Sequence, residues 1–239
     1  MNFRLILLSF IILAIISCQK DSNDDKLSEP SGSVDNVDDN GPDSQKIGTP
    51  CENGLAGKYP CNGYDLLAHI DLFSFGSNEG NDCWGWTDPT TQKEYVLMGL
   101  DDGTAFVDIS EPLNPIFVGK LPTTTEKNSW RDIKVYDNRA YIVSEAAGHG
   151  VQVFDLTRLR KANAPESFTA DRVLETVPTA HNMVVNPDSG FGYLVGTDTS
   201  DEFMGGVHFL DLNNPKSIRF VGGYGLSLIH ISEPTRQEA

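Results

Sequence analysis

Cationic side chains are scarce in this chain: 18 Lys and Arg stand against 34 Asp and Glu in 239 residues, a formal charge of -16. Phosphate recognition needs a basic stripe, so the composition argues against a nucleic-acid partner. Cysteine is nearly as sparse, with four residues. The sole long apolar run, residues 5–16, is too short to cross a hydrocarbon core of about 30 Å, which needs about 20 residues. Also missing are the HxH and HxxxH spacings of metal sites, and any nucleophile-elbow context around Ser110 or Ser144. The strands alternate with period 2, which excludes an α-solenoid.

What is present is a repeat. Three apolar strands end in Asp followed by an aliphatic residue: Phe106-Val107-Asp108-Ile109, Val153-Phe154-Asp155-Leu156 and Phe209-Leu210-Asp211-Leu212. Upstream anchors, Asp82-Cys83, Asp132-Ile133 and Asn182-Met183, recur at spacings of 50 and 50. A fixed period of that size marks a repeat architecture. Each unit parses into four short strands. Strand a covers 83–86, 133–136 and 183–185; strand b covers 94–99, 140–144 and 192–196. Strand c covers 104–109, 151–156 and 207–212; strand d covers 116–121, about 167–177, and 217–223. Turn signals fall between them at Asp101-Asp102-Gly103, Asp137-Asn138 and Pro187-Asp188-Ser189-Gly190. Four antiparallel strands per unit of about 50 residues predict an all-β fold made of β-propeller blades. A β-sandwich would not explain the two equal spacings. Residues 64–72 read as an orphan strand d that would complete the last blade. Three blades plus one closing strand fall short of the four blades that a closed ring needs, so an incomplete propeller is expected over 51–225.

The ends of the chain carry different messages. Arg4, the apolar run and Ser17-Cys18 resemble a bacterial lipoprotein signal, with Cys18 as the lipidated residue of a segment spanning 1–18. A lipid there implies anchoring to the outer membrane rather than spanning it. The acidic tract from Gln19 to Lys26 resembles the surface-export signal of lipoproteins in the Bacteroidetes group, which implies display on the extracellular side. Residues 19–50 hold eight Asp/Glu, three Lys and little apolar content, so a disordered acidic tether is expected. At the other end, the eleven residues from Leu226 to Arg236 look like the translation of a transposase-type sequencing adapter. The expectation is that native sequence stops near Gly225, that 226–239 are non-native, and that His230 and Glu233 are not site candidates. Cys51 and Cys61 flank a Gly/Asn/Pro-rich loop in an exported chain and are expected to form a disulfide, worth about 2–3 kcal/mol by loop closure. Cys83 reads as a packed apolar residue.

Five segments in order resemble the choice-of-anchor B family: Trp84-Gly85-Trp86-Thr87-Asp88-Pro89, Asp102 to Ser110, Trp130 to Tyr136, Gly148 to Leu156, and Ala180-His181-Asn182. Members of that family are secreted or surface proteins built on the LVIVD type of propeller repeat. The resemblance covers about 51–223. It implies a β-propeller and an extracytoplasmic location, and it brings no catalytic residues with it.

Strand a is innermost in a propeller, so the residues that open it ring the central channel. These are Asn81-Asp82, Arg131-Asp132 and His181-Asn182, with Trp84, Trp86 and Trp130 close by. Such a mouth would hold a polar ligand, a protein, or a glycan stacked on indole. The recurring Asp82, Asp132 and Asn182 are expected to accept backbone N–H bonds that fix each blade's entry loop. Asn81, Arg131 and His181 are not demanded by the repeat and are the better functional candidates. Asp108, Asp155 and Asp211 are expected to bind turn amides. Flanking glycines are expected to expose His149, which with His181 and His208 makes a conceivable metal set without ligand spacing. Asp198, Asp201 and Glu202 form an acidic loop that would suit Ca2+ if a divalent ion bound; no cofactor is expected. The leading function is a surface-anchored binding or interaction module. The alternatives are a metal- or carboxylate-dependent hydrolase of glycans or esters, and a structural envelope component.

Overall fold

The computed structural model describes residues 48–162, 165–214 and 216–225. The signal segment with Cys18, residues 19–47 of the tether, and the tail at 226–239 with His230 and Glu233 lie outside the described residues. The described part is all-β. A small ribbon, β1 (Leu55–Ala56) with β2 (Tyr59–Pro60), sits in the loop closed by a Cys51–Cys61 disulfide, whose Cα atoms are 5.8 Å apart.

Three larger sheets follow in chain order. The first is built from β3 (Gly80–Thr87), β4 (Glu94–Leu100), β5 (Gly103–Asp108) and β6 (Ile116–Pro122). The second uses β7 (Arg131–Tyr136), β8 (Arg139–Ser144), β9 (Val151–Asp155) and, after β10 (Glu166–Ser167), β11 (Arg172–Leu174). The third comprises β12 (Asn182–Asn186), β13 (Phe191–Val195), β14 (Val207–Asp211) and β15 (Arg219–Tyr224). Within each sheet these strands pair antiparallel in chain order. The first strands of consecutive sheets, β3, β7 and β12, lie side by side.

Local chemistry sets the turns. β7 and β8 are joined by two residues, Asp137 (φ 46°) and Asn138 (φ 59°), the double positive-φ pair of a type I′ hairpin, which Asp and Asn tolerate. The fourth strand of the second sheet is shorter than expected and is split in two. β10 instead adds in parallel to β6, giving the first sheet a fifth strand. Gly119 permits that approach: at φ 153° a Cβ there would stand 2.3 Å from the Glu166 carbonyl oxygen. The split follows from Phe168, which dips into the core against Phe106 (5.6 Å) and Phe154 (5.1 Å) and turns the chain from one sheet to the next.

Period-2 alternation gives each sheet two apolar faces. Trp86, Tyr95, Leu97, Phe106 and Leu121 of the first sheet bury against Ile133, Ala140, Ile142 and Phe154 of the second. Tyr141, Val143, Val151 and Val153 of the second bury against Met183, Leu194 and Leu210 of the third. The outer face of the first sheet, with Ala105 and Val107, is covered by Ile70, Leu72 and Phe75. Ile70 and Leu72 come from the segment expected as an orphan strand, and here the expectation fails. Residues 64–72 form no strand and make only the isolated Thr49–Leu66 bridge before a 3-10 turn at Leu72–Phe75. Alternation is nonetheless visible, since Leu66, Ala68, Ile70 and Leu72 are half-buried while Leu67, His69 and Asp71 are exposed. The segment has the pattern of a strand, but its backbone has no ladder to join. Cys83 is exposed on β3, not packed as expected.

An ion pair between a buried carboxylate and an exposed arginine ties the far end of the first two sheets. Asp88, fully buried after β3, takes both Nε (2.6 Å) and Nη2 (2.6 Å) of Arg160, together with the Thr90 N–H and the Thr91 hydroxyl. Phe106 sits at the centre of the first interface with its ring 4.8 Å from Phe154. Phe106→Ala is expected to cost about 3–5 kcal/mol, whereas Ile133→Val should cost about 0.5–1.5 kcal/mol. Urea unfolding followed by circular dichroism, with the slope unchanged, checks both.

Candidate functional site

The anchors at the start of the inner strands do more than close local turns. Oδ2 of Asp82 accepts the N–H of Ile133 at 3.0 Å, and Oδ2 of Asp132 accepts the N–H of Met183 at 2.6 Å. Both links span 51 residues. Each carboxylate therefore reaches past its own entry loop to the inner strand of the next sheet, which corrects the expectation that it fixes the loop. Lys134 completes the arrangement. Its Nζ donates to Oδ1 of Asp132 (2.5 Å) and to the Ile133 carbonyl (3.0 Å), lies 3.8 Å from Asp82, and sits 4.6 Å from the centre of the Trp84 ring. Burial pushes the Asp132 carboxyl above the ordinary carboxylate range, against the pull of Lys134 and the Met183 N–H.

Arg131 was expected at an open mouth and His149 exposed on a loop by its flanking glycines; both are instead deep in the protein. Arg131 is the largest fully buried side chain of the described residues, and His149 is fully buried too. Arg131 donates through Nε to the Leu100 carbonyl (3.0 Å) and through Nη1 to Nε2 of His149 (2.8 Å). His149 Nδ1 donates in turn to the Gly150 carbonyl (2.8 Å), which assigns the proton to Nδ1. Gly148 and Gly150, both at positive φ, do not expose the ring but turn the loop so that it points inward. Burial, then the Arg131 charge, lowers the His149 pKa to about 4; burial lowers that of Arg131 to about 10, opposed by Asp102 and Asp101. Nη2 of Arg131, Oγ1 of Thr104 and Oε1 of Gln152 are buried without a hydrogen-bond partner among the described residues. The pair bolts the start of β7 to the first sheet.

The remaining candidates separate. Trp86 is buried at the opposite end of β3, stacked on Tyr95 at 5.3 Å and donating to Asn138, so it leaves the site. Trp84 is partly exposed beside Lys134, Asp82 and Asp132. Asn81 is exposed in the irregular start of β3, and Asn182 is exposed at the start of β12. Trp130 is 54% exposed, and its ring lies 5.7 Å from that of His181. Nδ1 of His181 is hydrogen-bonded to Oε1 of Glu145. Trp130, His181 and Glu145 thus form a second, solvent-facing group at the same ends of the strands. Glu145 and Lys134 were missed by the sequence reading. Lys134 had a signal, since it stands one repeat from Trp84 and Val184. Glu145 follows strand b and had none.

The recurrent Asp at the end of strand c binds a turn amide in every copy. Asp108, Asp155 and Asp211 accept the N–H of Ser110 (3.0 Å), Thr157 (3.0 Å) and Asn213 (3.1 Å), each two residues on. The three histidines do not converge. His208 binds Asp201 (2.5 Å) and Thr197 (3.0 Å), apart from the partners of His149 and His181. Asp198 and Asp201 also accept the Ser200 and Phe203 N–H groups, fixing their own loop. Among the described residues, no group of three or more His, Cys, Asp or Glu is arranged to hold a metal ion. No helix of the described residues is long and apolar enough to cross a membrane. Neither a protein-family model nor a curated protein matches the chain.

His149 makes stability depend on pH. Its folded-state pKa of about 4 lies below the ordinary 6.5, so below pH 6.5 the unfolded chain takes up a proton that the folded chain refuses. Stability should fall by about 3 kcal/mol as pH drops through that window and then level off for this group. Urea midpoints at pH 7, 5.5 and 4 check this. His149→Gln should start lower and lose that component of the slope.

Proposed function

We propose that the three sheets are consecutive blades of a β-propeller, and that the protein is a lipid-anchored surface module that binds an extracellular glycan or protein. On this reading the chain is a member of the choice-of-anchor B family, carried at the outer membrane by lipid on Cys18 and facing outward. One observation carries the propeller part: the same carboxylate-to-amide link joins the first sheet to the second and the second to the third at one offset. A constant link between successive antiparallel sheets whose first strands lie side by side supports the reading of them as successive blades. The outer face of the third sheet fits this reading. Val184, Tyr193, Val195, Val207 and Phe209 line a groove there, beside Asn182, the counterpart of Asp82 and Asp132. The Asn182 side chain has no hydrogen-bond partner among the described residues. A further blade would fill the groove and give Asn182 its amide.

Binding is favoured over catalysis by what the polar groups already do. Asp82, Asp88, Asp108, Asp132, Asp155 and Asp211 are engaged in backbone or ion-pair bonds that hold the sheets. Arg131 and His149 are occupied with each other. Trp130, Glu145 and His181 remain turned to solvent.

In a lipoprotein-processing bacterium, the full chain should incorporate labelled palmitate and be cleaved by protease added to intact cells. Cys18→Ser should abolish the label and release the protein from the membrane fraction. Label that persists in Cys18→Ser would contradict the anchoring, and protection from external protease would contradict the outward display. Purified protein should not turn over chromogenic esters or aryl glycosides; turnover lost with His181→Ala would replace the binding reading with the hydrolase one.

A further inference from the structure

We infer that Trp130, Glu145 and His181 form a subsite for one pyranose ring of a glycan, which deepens the binding-module reading and rests on it. A single exposed apolar side chain needs no explanation by itself. This one differs because the chain around it is fixed on every side. The Trp130 N–H donates to Oδ1 of Asn128 at 2.7 Å. Its carbonyl accepts from the Ser144 hydroxyl at 2.8 Å and from the Glu145 N–H at 3.2 Å. The next residue, Arg131, is bolted into the core through Leu100 and His149. The backbone that carries the indole is therefore fixed, and the ring lies beside His181 at 5.7 Å. A ligand that stacks on it pays little ordering cost, which is the condition for useful affinity from a small contact.

Polar groups flank the ring. Nδ1 of His181 is taken up by Glu145, which orients the imidazole. The other imidazole nitrogen, Nε2, and the second carboxylate oxygen, Oε2 of Glu145, have no partner among the described residues. The two side chains come from different strands' ends, Glu145 after β8 and His181 before β12. The His181 N–H is fixed on the Val195 carbonyl at 2.9 Å. A flat apolar face edged by an acceptor and an imidazole matches a pyranose. The sugar's C–H face covers the indole, and its rim of hydroxyls, each donor and acceptor at once, meets Oε2 and Nε2. An ammonium ligand fits less well, because the carboxylate beside the ring is already engaged by the imidazole.

The test titrates the full chain with soluble oligomers of glucose, N-acetylglucosamine, galactose and mannose, read by tryptophan fluorescence and calorimetry. At least one series should bind. Trp130→Ala and Glu145→Gln should each weaken that binding at least tenfold, while Trp84→Ala, which removes an indole capped by Lys134, should leave it within twofold. Trp130 is exposed, so an unchanged urea midpoint in Trp130→Ala verifies the fold. Binding of no oligosaccharide, or binding indifferent to Trp130→Ala, would overturn the sugar assignment. If instead a protein ligand binds the wild type and is lost in Trp130→Ala, the sugar assignment falls while the binding-module reading stands; failure of palmitate labelling strikes the lipid anchor alone.

Discussion

A carboxylate on one sheet holding a backbone amide of the next is the constraint on which the rest of the structure depends. An inner strand has one side without a neighbour in its own sheet, and its N–H groups there need acceptors. Asp82 and Asp132 supply them across the sheet boundary, so that each inner strand is registered on its predecessor by a charge-assisted bond. Apolar burial alone would hold the sheets together without fixing how far one slides along the other. The aliphatic side chain of the bonded residue, Ile133 or Met183, enters the interface beside the link, so position and burial are set by the same residue.

Electrostatics follows from that arrangement. The chain is strongly acidic, yet many of its buried carboxylates are tied to amides or to a nearby cation, as Asp88 is to Arg160 and Asp132 to Lys134. Lys134 serves two sheets at once and shields Trp84. Arg131 is the costly exception: a buried guanidinium whose nearest hydrogen-bond partners are a carbonyl and a neutral imidazole. It fixes the start of β7 and holds His149 neutral. What is left for a ligand is the small group that the scaffold does not use.

The all-β class and the order of strands within the sheets were legible because period-2 alternation and the anchors at 82, 132 and 182 report burial and geometry directly. The three a-b-c runs fall close to β3–β5, β7–β9 and β12–β14. The fourth strand of the second sheet was less legible, since its division depends on where Phe168 finds a cavity between two sheets. Residues 64–72 carry strand alternation, but a strand needs a partner edge, and no local pattern reports that. Site residues were harder still. Trp86, Arg131 and His149 have the residue types of a site, and only the packing places Trp86 at the far end and buries the other two. Glu145 entered the site through a contact spanning 36 residues, invisible to any local spacing.

The central claim is that Asp132 secures the third sheet through the Met183 amide and Asp82 secures the second through that of Ile133. Amide hydrogen exchange on Asp132→Ala tests it most directly, because the two amides act as probe and control in one molecule. A hydrogen bond to a charged acceptor is worth about 1.5–3 kcal/mol. Met183 should therefore exchange at least about tenfold faster than in the wild type, where 1.4 kcal/mol is tenfold, while Ile133 stays unchanged. Equal protection of Met183 in the variant and the wild type would contradict the account.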